Sequence, residues 1–201
     1  MTRLLAVVFG IVLMLASGAA MAQAPTTVRV RGMIDALSGD TLKLTTRTGD
    51  KVSIALAAGY KVTALTAISI TAIKPGSYIG TAAMRQADGS LKALEVQVFP
   101  EAMRGVGEGS RPFDVAPNSS MTNGTVGDVV GTDGRVLTVK YNGKETKVVV
   151  PADVPIVTYE PGEPTMLTPG AHVFISVTKS ADGTMSAERV TVGKDGLVPP
   201  M

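Results

Sequence analysis

The chain has 201 residues, with 19 Lys and Arg against 17 Asp and Glu, one His, 22 Gly and neither Cys nor Trp. A near-neutral balance and 4% aromatic residues argue against a nucleic-acid partner, which needs a basic groove with stacking platforms. The lack of cysteine excludes disulfides, thiol chemistry and a cysteine-linked lipid, so stability must come from apolar burial.

Thr2-Arg3 is a short positive segment, Leu4 to Leu15 is uncharged and apolar, and Ala20-Met21-Ala22 offers small residues where a signal peptidase reads. Residues 1–22 therefore read as a signal peptide cleaved after Ala22, with a periplasmic or extracellular product and no further membrane span. An uncleaved anchor is the alternative, since Leu4 to Ala22 approaches the ~20 residues of a span. Residues 23–27 form a polar lead. From Val28 the pattern alternates: Val28, Val30, Gly32, Ile34 and Ala36 share one face, and Arg29, Arg31, Met33 and Asp35 the other. That period of two predicts a strand, followed by strands over Thr41 to Arg47 and Lys51 to Leu56, divided by Ser38-Gly39-Asp40 and Thr48-Gly49-Asp50 turns. Ala57 to Ile73 reads as a strand through about Thr66 and then a short turn or helical piece. Tyr78 to Met84 and Leu91 to Phe99 form a hairpin over Ala87-Asp88-Gly89.

Residues 100–122 break the pattern, with Gly105, Gly107 and Gly109 opposing regular structure, and read as a Gly/Pro-rich connector. Beyond it, Thr132-Asp133-Gly134 and Asn142-Gly143 are turns between strands over Arg135 to Tyr141 and Glu145 to Val150. Val154 to Tyr159, His172 to Lys179 and Met185 to Val192 follow as strands, and 194–201 as a tail. The late strands echo the early ones. Pro75-Gly76 and Asp88-Gly89 recur as Pro169-Gly170 and Asp182-Gly183 at a constant offset of 94, while Gly32-Met33-Ile34 matches Gly124-Thr125-Val126 at 92. An offset held over more than twenty residues predicts an internal duplication. The expected fold is all-β: two tandem small antiparallel OB-like barrels, in 28–99 and 123–193, joined by the connector 100–122.

The order Gly-x-(Ile/Val), paired strands, Pro-Gly and an Asp-Gly hairpin resembles a family of exported bacterial domains of unknown function with OB-like barrels. Gly39-Asp40-Thr41-Leu42, Ile73-Lys74-Pro75-Gly76-Ser77-Tyr78 and Leu167-Thr168-Pro169-Gly170-Ala171-His172 carry that resemblance, beside the Gly32 and Gly124 motifs. Residues 107–114, Ser120-Met121-Thr122-Asn123 and Pro199-Pro200-Met201 resemble a two-domain subset that often bears a metal-transporter permease label. A permease needs several long apolar spans, and this sequence has only the leader.

Candidate chemistry is sparse. His172, the single histidine, fills the slot of Tyr78 in the first copy; it reads as a structural edge residue unless the fold brings it a carboxylate partner. Phe174, where the first copy has Gly80, faces outward as a contact between barrels or with a partner, unless the strand faces are reversed or the connector covers it. In the connector, Glu108, Arg111, Phe113 and Asp114 belong either to a binding loop or to a strap in which Arg111 pairs with Asp114 or Glu108 and Phe113 is buried between barrels. The acids at turns are isolated and the methionines lack a short repeated spacing, so no metal site and no cofactor is expected. No nucleophile motif or phosphate loop is present. The expected function is a non-catalytic periplasmic binding or interaction module for an unknown envelope protein or small ligand. The alternative is an accessory protein handling a metal ion or solute for a transporter.

Overall fold

Strands form wherever the apolar and polar residues alternate. The computed structural model describes residues 24–131 and 134–201 and is all-β. The expected signal peptide, residues 1–22, and the expected turn at Thr132-Asp133 lie outside the described residues. The strands are β1 Thr26–Ser38, β2 Thr41–Thr46, β3 Lys51–Ala67, β4 Tyr78–Arg85, β5 Leu91–Val98, β6 Gly109–Pro112, β7 Ser119–Val130, β8 Val136–Tyr141, β9 Lys144–Val149, β10 Ile156–Pro161, β11 His172–Lys179 and β12 Met185–Gly193. The described helices are single 3-10 turns, one of them at Ile70–Ala72 as the sequence predicts.

A five-stranded barrel closes through antiparallel β1–β2 and β2–β3, parallel β3–β12, and antiparallel β12–β11 and β11–β1. Its interior holds Val30 and Ile34 of β1, Leu42 and Leu44 of β2, Ile54 and Leu56 of β3, Val173, Ile175 and Val177 of β11, and Val190 and Val192 of β12. β4, β5, β7, β8 and β9 pair in the same pattern around a second apolar cluster with Ile79, Val96, Val126, Leu137 and Val148 at its centre. Its parallel β5–β9 contact is short, with only Leu91↔Val148 and Lys92↔Val149 aligned.

The expected tandem order, one barrel from 28–99 and another from 123–193, is corrected by these pairings. The closed barrel takes β1–β3 from the first stretch and β11–β12 from the second, while β4–β5 pair with β7 and β9. The cause is β3, which does not stop at Leu56. It bulges near Gly59 (φ 72°) and runs on to Ala67, carrying the chain past the barrel before β4 begins. There it pairs with β10, Leu65 opposite Tyr159. Those two positions are 159 − 65 = 94 apart, and the pairing is symmetric about them: Val62↔Val190 in one half answers Ile156↔Val96 in the other.

Gly32 and Gly124 earn their place in the repeated motif by close approach. A Cβ on Gly32 would lie 2.3 Å from the Thr45 carbonyl oxygen, and one on Gly124 would lie 2.4 Å from that of Lys140. Both neighbours are backbone and cannot rotate away, so Gly32→Ala should lower the unfolding free energy by between about 1 and 3 kcal/mol in denaturant titration. The connector is less irregular than expected, because β6 adds to the edge of β7 with Ser110 opposite Thr122.

Candidate functional site

A bulge in each hairpin builds the site. In β5, Glu95 faces Ala82 and Ala93 faces Ala83, so Leu94 is the extra residue. In β12, five steps from Ser186 to Thr191 face four from Thr178 to Phe174. An extra residue reverses the inward and outward sides of a strand. Val96, Val190 and Val192 therefore stay in the cores, while Gln97, Arg189 and Thr191 face the space where the halves meet and Glu95 is buried beneath it.

That space is a groove of about 580 Å³. Its walls carry Phe99, Phe113, Phe174 and Tyr159, together with Met103, Met121 and Met201. Phe99 stacks on Tyr159 with ring centres 5.5 Å apart and is tilted against Tyr78 at the same distance. Its ring lies over Gly80, where a Cβ would come within 3.0 Å, which explains the glycine opposite Phe174 in the repeat. The Arg31 guanidinium lies 5.2 Å from the Phe174 ring centre and 5.8 Å from that of Phe113, with Arg29 at 4.8 Å from Phe113. These are cation–π distances.

Beneath the groove runs a buried polar chain. Tyr159 donates to Gln97 Oε1 (2.5 Å), and Gln97 donates to Glu95 Oε1 (2.7 Å). Glu95 is 1% exposed, and its Oε2 has no hydrogen-bond partner. Burial pushes its carboxyl up to about 7, against the opposing hydrogen bond from Gln97 and the charges of Arg31 and Arg47. Burial likewise raises the Tyr159 phenol, helped by the Glu95 charge.

The tail, read from sequence as an appendage, is docked. Arg47 donates to the Pro199 carbonyl, and Met201 is 4% exposed beside Leu65 and Val157, its Sδ 3.5 Å from the Tyr159 hydroxyl. Gly193 permits this, since a Cβ there would collide with the Leu197 carbonyl oxygen at 1.7 Å. Gly193→Ala should therefore lift the tail. Limited proteolysis with mass spectrometry should find faster cleavage within 194–201, and an unchanged pattern would contradict this account of the glycine.

Of the residues singled out from sequence, Arg111, Phe113 and Phe174 line the groove. The strap reading named the wrong pair: Asp114 accepts from Arg31 (2.7 and 3.2 Å) and lies 3.8 Å from Arg29, because β1 presents both arginines to the connector. The Arg31 hydrogen bonds hold the Asp114 carboxyl below the usual range. Arg111 instead donates to the Gly107 carbonyl (2.7 Å). Phe113 is half-buried against the Leu65 cluster, as a strap requires. Tyr78 is buried and donates to the Val106 carbonyl (3.2 Å), so it anchors the connector from below. Glu108 turns away and accepts from the Asn142 amide (2.8 Å), and His172 sits on β11 opposite Met33, outside the groove lining. The sequence reading missed Arg29, Arg189, Phe99, Tyr159 and Met201. The arginines looked like an ordinary solvent face; only the odd parity of Glu95 and Gln97 against Val96 and Val98 hinted at the bulge.

Compared with protein-family models, curated proteins and solved structures, the chain has no significant match. Among the described residues, no cluster of three His, Asp or Glu could hold a metal ion, and no helix is long and apolar enough to cross a membrane.

Proposed function

We propose that the protein is a non-catalytic binding module, exported to the periplasm by residues 1–22, and that the groove roofed by the connector is its working surface. One observation carries this reading: all three described phenylalanines, scattered over 75 residues of sequence from Phe99 to Phe174, converge with Tyr159 on one cavity. Aromatic walls with a few polar groups at fixed positions are what small-ligand sites are made of. The 94-residue offset supports a duplication as the origin of both sets of strands, and the resemblance to exported OB-like domains supports the address. An accessory role in passing a solute to a transporter would use the same groove.

The test is thermal unfolding against a panel of metal ions, anions and cell-wall sugars. A ligand at a hundred times its Kd adds about 2.7 kcal/mol, so a binder should raise the midpoint by several degrees. The shift should vanish in the Arg111→Ala/Phe113→Ala double variant. If that variant keeps both its stability and all binding, the groove is not the working surface.

A further inference from the structure

The lining of the groove is lopsided in charge. It includes the guanidinium groups of Arg29, Arg111 and Arg189 and no carboxylate. Asp114, beside it, is already engaged by Arg31 and Arg29. Among the described residues, neither Arg111 nor Arg189 has a carboxylate partner. Arg111 spends one N–H on the Gly107 carbonyl, and Arg189 reaches only the Thr63 hydroxyl at 3.4 Å. A guanidinium has five N–H groups in a planar fork, so both keep donors free for a further acceptor. The remaining wall is flat and apolar: Phe99 stacked on Tyr159, with Phe113, Phe174, Met103 and Met121 around them.

We infer that the groove takes an anion carried on a flat apolar body, such as an aromatic carboxylate, phosphate or sulfonate, with Arg111 and Arg189 receiving the anion and the phenylalanines receiving the body. Charge complementarity selects the sign: a cationic ligand would meet three guanidinium groups, and a neutral one would leave the spare N–H donors of Arg111 and Arg189 to water. The ring walls select the shape, since stacked and edge contacts reward planar partners. This inference rests on the reading of the groove as the binding surface and narrows it to one class of ligand.

A matched pair of dyes tests it on the purified protein. Anilinonaphthalene sulfonate and phenylnaphthylamine share their ring systems and differ in the sulfonate. Fluorescence titration should show one sulfonate-dye site per chain and binding of the neutral dye weaker by at least roughly tenfold, the size of a charge-assisted hydrogen bond. Arg111→Ala/Arg189→Ala should bring the sulfonate dye down to the neutral one and leave the neutral one unchanged. Both side chains are exposed, so the fold should survive, and an unaltered unfolding midpoint verifies this. Phe174→Ala should weaken both dyes. Equal binding of the two dyes, or sulfonate binding indifferent to the two arginines, would overturn the anion assignment while leaving the groove as a binding surface. Binding of neither dye also overturns the inference; the ligand panel with Arg111→Ala/Phe113→Ala then decides the broader reading separately.

Discussion

Glu95→Gln should stabilise the protein at pH 8 and leave it nearly unchanged at pH 4. In the folded chain the Glu95 carboxyl is pushed up to about 7, against an ordinary value of 4.5. Between those two pH values the folded state holds a proton that the unfolded state has released. Stability therefore falls as pH rises through this window and levels off above it. A gap of that width corresponds to roughly 3 kcal/mol, or on the order of 10 °C in midpoint for a chain of this size. The glutamine keeps the bond from Gln97 and carries no charge to bury, so its difference from the parent should open between pH 4.5 and 7. Unfolding midpoints taken across that range would decide it; parallel curves for parent and variant would mean that Glu95 is hydrated or fully neutralised by Arg31 and Arg47.

A disulfide between Thr27→Cys and Thr178→Cys should form within one chain and give a large gain in stability. The two threonines are opposite one another on β1 and β11, and both are exposed. Opposed antiparallel residues have Cα atoms roughly 4.5–5.5 Å apart, within the range of a disulfide. The chain has no other cysteine to compete. The bridge would close a loop of about 150 residues, for which the chain-entropy relation gives on the order of 5 kcal/mol. Denaturant titration with and without reductant measures it. Two barrels closed within 28–99 and 123–193 would leave Thr27 in the lead before one unit and Thr178 inside the other, so failure to crosslink, or crosslinking only between chains, would restore the tandem arrangement.

Individual strands were legible from sequence because each carries its own period. His172 to Lys179 was read with its observed bounds, and β2, β4 and β8 to within a residue or so. The closed barrel was legible as a class, from short strands and Gly/Asp turns. Its membership was not: a strand's periodicity says which face is buried and nothing about which distant strand covers its edge. The 94-residue offset made this worse, because it relates β4–β5 to β11–β12 and leaves open which hairpin covers which edge. The site suffered from the bulges. Leu94 and its counterpart in β12 shift the parity within one residue, and that shift turns Arg189 and Gln97 towards the groove. Phe174 could be picked out as an outward apolar residue and Phe113 as an anchor of the connector, but their meeting point required the three-dimensional path of β3.

The exchanged hairpins also set an order of events in time. Met33 pairs with His172 and Thr26 with Lys179, separations of 139 and 153 residues. Contacts so far apart in sequence make for slow folding, since the entropy of closing the intervening loop is lost before the pairing rewards it. Until β11 and β12 have been synthesised, β1 and β3 each keep one bare edge, a stretch of unpaired backbone that the nascent chain must leave unpaired or shield. β1, already paired with β2 through a local turn, gains its other neighbour only after β11, 139 to 153 residues further on, has been made.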